Sequence, residues 1–134
     1  MAMSALDALR LSLHVLAASV WVGGQLVLGG LVPVARRAGR ELTRAMARRF
    51  GQMAWPAYVV LALTGIWNLF AVHWSTQSAT WQAVLWAKIG IVLGAGIFAL
   101  AHQKARSPKA IGVFGALAGV CSTGALVMGV LLAG

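Results

Sequence analysis

The chain has 134 residues, of which 60% are hydrophobic and only 10% are charged, and its formal net charge is +9. Soluble domains carry about 25% charged residues, so this composition excludes an ordinary water-soluble globular domain. The basic residues lie between long apolar runs and not on a polar face with interleaved aromatic residues, which excludes nucleic acid as a partner. We therefore predict an all-α integral membrane protein whose principal partner is the lipid bilayer.

A membrane-spanning helix needs about 20 mostly apolar residues. We predict a single bundle of four transmembrane helices over residues 1–134, and its helices cover residues 11–34, 53–72, 81–101 and 110–133. The Arg-rich segment 40–52 is predicted to extend the second helix into the cytoplasm, because its apolar residues recur at helical spacing. Two GxxxG patterns favour close packing of the last two helices: Gly90 with Gly94, and Gly115 with Gly119.

The loops predict the orientation of the bundle. Connections 33–50 and 102–109 contain nearly all the Lys and Arg residues, whereas connection 73–80 contains none. Because positively charged loops stay on the cytoplasmic side, both basic loops are expected inside and both termini outside (N-out/C-out).

Two ionisable residues are predicted inside the membrane. Lys88 lies about seven residues, or about 10 Å, within the third helix. A lysine there costs about 2 to 3 kcal/mol on insertion, so it should face the bundle interior, unless its stem snorkels to the headgroups. His14 lies at the same depth in the first helix, so we expect both residues at one level. A histidine that only hydrogen-bonds is the alternative.

Further polar residues follow the same helical faces. Trp21 and Gln25 come seven and eleven residues after His14, so the three are predicted to line one inward face. Thr64 and Asn68 give the second helix a polar edge that should hydrogen-bond across helices.

The sequence also contains residues that could bind a soft metal. His, Met and Cys are ligands of copper(I), so His14, Met128, Cys121 and His73 are the candidate metal ligands. Their spacing matches no diagnostic metal motif, and packing is the alternative role for the methionine. The only two carboxylates in the chain lie at opposite membrane faces, which argues against acid-base hydrolysis.

Three runs resemble the copper-resistance D (CopD) family. The first helix contains LHVLAASVWVGG, with His14 and Trp21; the second contains RRFGQMAWPAYVVLALTGIW; the third contains LWAKIGIVLGAGIFALAHQKAR, with Lys88. The resemblance implies a protein of a bacterial-type plasma (inner) membrane that binds or transports copper. It also implies a periplasmic copper-carrier protein as a partner.

The same pattern is similar to the HemJ-type protoporphyrinogen oxidases, through His14, Pro56 and Lys88. That resemblance implies haem b, with His14 as the iron ligand and Lys88 beside a propionate; Trp21 belongs to the same candidate cofactor site. The sequence favours a protein that is not an enzyme, and, if it is one, a haem-dependent oxidoreductase. A structural or accessory subunit without a cofactor is the third hypothesis, and a homodimer is compatible with all three.

Overall fold

The computed structural model describes residues 2–134, and every regular element in that range is helical. In chain order these elements are α1 (Ala5–Ala18), a π-helical turn (Ser19–Gly23), α2 (Gly24–Ala38), α3 (Arg40–Ala71), a 3-10 turn (Trp74–Thr76), α4 (Ala79–Lys104) and α5 (Pro108–Ala133). The segment from α1 to α2 is one continuous helix of 34 residues. The described residues thus form four helices that are long and apolar enough to cross a membrane, which confirms the predicted all-helical class and number of long helices.

Local sequence signals determine where the helices begin and end. Three of them start with a serine whose side chain accepts a hydrogen bond from a backbone N–H of the first turn: Ser4, Ser78 and Ser107. Such caps satisfy N–H groups that have no partner within the helix. Between α2 and α3 the chain turns at Gly39, whose φ of +130° suits a residue without a side chain.

The chain forms two compact units, one up to Val72 and one from His73 to Gly134. The first unit contains α1, the π-helical turn, α2 and α3, and the second contains α4 and α5. Each is described by itself below. The single four-helix bundle, its membrane and its orientation stay predictions.

In the first unit the long N-terminal helix packs antiparallel to α3. Arg10 hydrogen-bonds Asn68, and one turn further along His14 hydrogen-bonds Thr64. At the other end, Phe50 packs over Gly24 so closely that a Cβ there would meet its ring. Residue numbers therefore fall along α3 as they rise along α1 and α2, and α2 lies beside the Arg-rich start of α3.

This register offsets the first two predicted spans. With His14 beside Thr64, the middle of segment 53–72 lies beside about residue 15, whereas the middle of segment 11–34 is about residue 22. Seven residues of helix correspond to about 10 Å. If both helices cross the same bilayer, the two predicted spans cannot both be centred in it. The spanning segment then extends beyond the predicted boundaries in one of the two helices.

In the second unit α4 and α5 pack antiparallel along their length. The Trp81 indole donates a hydrogen bond to the Leu132 carbonyl at 3.1 Å, near the start of α4 and the end of α5. At the opposite end, His102 bonds the Ile111 carbonyl. Between these points the interface contains small buried residues, among them Ala95 and Ala118. Of the four GxxxG glycines only Gly115 contacts the partner helix, whereas a Cβ built on Gly90 or Gly119 would have nothing within 4 Å among the described residues. Close approach therefore occurs through the buried alanines, and the predicted role of the first GxxxG pattern in this interface is wrong.

Candidate functional site

His14 is held in a defined orientation by α3. Its Nδ1 lies 2.8 Å from the Thr64 hydroxyl, and that hydroxyl donates its own proton to the Val60 carbonyl at 2.7 Å. Thr64 then accepts from His14, which assigns an imidazole proton to Nδ1. Gly65 lies beside the ring, where a Cβ would be 3.6 Å from Cε1, an ordinary van der Waals contact.

The hydrogen bond from His14 to Thr64 confirms the prediction that the polar edge of α3 bonds across helices, and Asn68 does so as well. Its amide oxygen accepts a hydrogen bond from the Arg10 guanidinium. Arg10 also forms an ion pair with Asp7 at 2.8 Å. The two contacts balance a guanidinium that is only 6% exposed. An isolated buried charge would be very costly, so this pairing is what makes the position tolerable.

Arg10 is not among the residues that the sequence singles out. The available signal was spacing. Arg10 and His14 are four residues apart, and so are Thr64 and Asn68. Residues four apart lie on one face of a helix, so two such pairs on antiparallel helices can meet in register.

Trp21 lies within the π-helical turn and is only 3% exposed. Its ring centroid is 4.5 Å from that of Tyr58 and 5.3 Å from that of Trp55, both on α3. Like His14, it therefore faces α3, as the predicted stripe required. Gln25 instead donates a hydrogen bond back to the Trp21 carbonyl at 2.9 Å. π-helical turns occur frequently at functional sites, and this one positions Trp21 about two helical turns after His14 along the chain.

Lys88 is half-buried on α4 and points at the backbone of α5. A Cβ added to Gly129 would lie 3.0 Å from its Nζ, so the glycine provides the space that the ammonium group fills. Met128 is the residue next to Gly129 in the sequence, which places Lys88 and Met128 at one level within this unit. The one ion pair among residues 2–134 joins Arg10 to Asp7, so Lys88 has no carboxylate partner there.

The remaining candidate ligands are Cys121, Met128 and His73. Cys121 and Met128 are both half-buried on α5, but seven residues of helix separate them by about 10 Å. His73 is exposed and ends α3 in a left-handed conformation with φ of 49°. Residues 2–134 contain no group of three or more His, Cys, Asp or Glu side chains that could hold a metal ion. A copper site formed by these residues therefore stays a prediction.

His102 on α4 forms a hydrogen bond to the backbone of α5. Its Nδ1 is 2.7 Å from the Ile111 carbonyl, so this nitrogen carries the proton and donates it. The ring lies directly over Gly115, where an added Cβ would be 2.9 Å from Nδ1. One glycine of the second GxxxG pattern thus accommodates an imidazole of its partner helix.

Comparisons with protein-family models, with characterised proteins and with solved structures find no match to this chain. The structure defines the class: an all-helical protein with four helices compatible with a multi-pass membrane protein. The relation to the CopD and HemJ-type families rests on the sequence runs alone.

Proposed function

We propose that this chain is a multi-pass protein of a bacterial-type inner membrane that handles copper, which it binds or transports as its cargo. The observation that carries the proposal is the hydrogen bond from His14 to Thr64. Metal-binding histidines usually donate their second ring nitrogen to a neighbouring oxygen, and this bond fixes the ring and its tautomer. The resemblance of the surrounding helices to the CopD family adds support.

In this proposal His14 contributes the Nε2 lone pair to copper(I). Met128, Cys121 or His73, the other soft or imidazole donors predicted from the sequence, is the candidate for a further ligand. Lys88 provides positive charge for an anionic partner of the metal. The basic loops are cytoplasmic, so His14 receives copper from the outer side, where a periplasmic copper-carrier protein delivers it.

A second candidate is a haem b protein of the HemJ type, and two observations favour it. The described residues present His14 as an imidazole oriented by a neighbouring helix, and they contain no group of three His, Cys, Asp or Glu side chains that could hold a metal ion. Such an imidazole suits haem, because the porphyrin itself supplies four nitrogen ligands. Lys88 lacks a carboxylate partner within the described residues, which suits a haem propionate. When bound, haem would supply electron transfer for a porphyrinogen oxidase.

A third candidate, a structural or accessory subunit, is favoured by the way polar side chains join neighbouring helices. His14, Arg10 and His102 each make a hydrogen bond to another helix of their unit. Bonds of this kind stabilise membrane proteins without any cofactor. In this case the variants His14→Ala and Lys88→Met should change stability alone.

One sample distinguishes the three candidates. The full chain is purified in detergent from haem-replete cells, loaded with copper(I) under reducing conditions and desalted; an absorption spectrum and a metal analysis follow. Copper handling predicts about one copper per chain or per dimer and no Soret band. A Soret band with bound iron supports haem, and a colourless, metal-free protein leaves only the structural role.

The variant pair His14→Ala and His102→Ala assigns the site. Both histidines are half-buried, and both donate through Nδ1 to a neighbouring helix, so the second variant controls for loss of a packed imidazole. Copper should be lost from His14→Ala and retained by His102→Ala. Equal retention in both variants would refute His14 as the ligand.

A further inference from the structure

A cavity lined by arginines lies where α2 ends and α3 begins. It has a volume of about 360 Å³ and is lined by Arg36, Arg40, Thr43 and Arg44. Gly39 makes the turn between the helices, so the last turn of α2 and the first turns of α3 share this space. Three arginine side chains thereby line one concave surface.

The positive charge of this cavity is not balanced from within the described chain. Glu41, which is exposed in the first turn of α3, is the only acidic residue in this part of the sequence. It forms no ion pair among residues 2–134, where Arg10 and Asp7 make the one pair that exists. Guanidinium groups bind phosphate through paired N–H donors, so an external phosphate is the anion that this geometry suits.

Residues near the cavity indicate which kind of phosphate-containing molecule binds there. The same two helices also carry exposed apolar side chains: Leu31 is 46% exposed, Val34 62% and Leu42 46%. A free phosphate would use only the arginines, whereas a phospholipid has a phosphate for the arginines and acyl chains for the apolar side chains. Arg-rich segments beside a membrane-spanning helix are typical of anionic lipid binding.

We propose that the cavity at the α2–α3 turn is a binding site for the phosphate of an anionic phospholipid, with Arg40 and Arg44 as its main donors and Arg36 opposite them. The site is independent of copper or haem at His14. It holds the lipid at the cytoplasmic end of the first two helices. An anionic lipid there also offsets the repulsion among the six arginines between residues 36 and 49.

The test uses the full chain in detergent and measures bound lipid by native mass spectrometry. The probes are phosphatidylglycerol, phosphatidylcholine and inorganic phosphate as a competitor. We expect the wild type to bind phosphatidylglycerol at least roughly tenfold more tightly than phosphatidylcholine, since each basic residue near the phosphate contributes about tenfold or less. Millimolar inorganic phosphate should not displace the lipid.

The matched variants are Arg40→Gln/Arg44→Gln and Arg48→Gln/Arg49→Gln, which remove the same charge from the same helix, but only the first pair lines the cavity. The first variant should lose the preference for phosphatidylglycerol, and the second should keep most of it. Arg36→Gln should weaken it as well, from the other helix. Equal losses in both double variants would show diffuse attraction and overturn the site; full displacement by inorganic phosphate would overturn the lipid as its occupant.

Discussion

Thr64 accepts a hydrogen bond of 2.8 Å from His14 and, in the same geometry, donates its own proton to the Val60 carbonyl. The threonine hydroxyl therefore connects the backbone of α3 to the imidazole on α1 through two hydrogen bonds, an arrangement called the Thr64 relay below. This arrangement defines which nitrogen of His14 is protonated, and thereby which nitrogen can bind a metal. The first prediction concerns that relay.

Replacing Thr64 by valine should weaken metal binding at His14 without removing it. Valine keeps the shape but has no acceptor, so the imidazole loses its fixed orientation and tautomer; partners of this kind contribute about 10- to 100-fold in metal affinity. The measurement is copper(I) affinity by competition with a chromophoric chelator. Thr64→Ser is the control and should retain the affinity, because it keeps the hydroxyl. Wild-type affinity in Thr64→Val would contradict the relay.

The buried Arg10 depends on Asn68. Asn68→Leu should lower the free energy of unfolding by about 1.5 to 3 kcal/mol, because it leaves a charged donor without one of its acceptors. Thermal unfolding in detergent measures the loss. Adding Arg10→Met should recover part of it, since the double variant buries no unpaired charge. The absence of any coupling between the two substitutions would show that the guanidinium finds another partner.

Hydropathy predicted the four long helices because each is itself a long apolar run. The cross-helix roles of Thr64 and Asn68 were also predictable, since two polar residues four apart on an apolar helix share one face. For Arg10 the spacing from His14 indicates only a shared helix face; its burial depends on a partner 58 residues away, which the sequence does not show. The residues around Arg10 in the sequence do not distinguish a buried arginine from an exposed one.

The π-helical turn at Ser19–Gly23 has no local signal either. Its residues fit an α-helix equally well, and what distinguishes them is the packing of Trp21 against Tyr58 and Trp55. The offset between the first two predicted spans has a similar cause. Hydropathy gives the length of each apolar run, but which residues lie side by side is determined by interhelical contacts such as that of Phe50 with Gly24.

His73 ends α3 in a left-handed conformation, which gives it a structural role besides its candidate role as a ligand. Glycine adopts this conformation without steric cost, so His73→Gly should raise the free energy of unfolding by about 0.5 to 1 kcal/mol. His73→Val, which is β-branched, should lower it. Thermal unfolding of the three proteins tests the order. If copper binding is unchanged in His73→Gly, then His73 is a turn residue and not a ligand.

Gly115 should tolerate no side chain as long as His102 is present. A Cβ at Gly115 would lie 2.9 Å from Nδ1 of His102, and the ring cannot move away without losing its hydrogen bond to Ile111. Gly115→Ala should therefore cost about 1 to 3 kcal/mol of stability, as overpacked interfaces do. The measurement is thermal unfolding of the detergent-solubilised protein.

Gly112 offers the matched control, because nothing lies within 4 Å of a Cβ built there. Gly112→Ala should be neutral or stabilising, since alanine is favoured over glycine in a helix by about 1 kcal/mol. The double variant Gly115→Ala/His102→Ala separates steric conflict from helix propensity: it should be more stable than Gly115→Ala with His102 intact. If removing the imidazole fails to rescue Gly115→Ala, then the glycine is required for backbone contact between α4 and α5, and the ring is not what it accommodates.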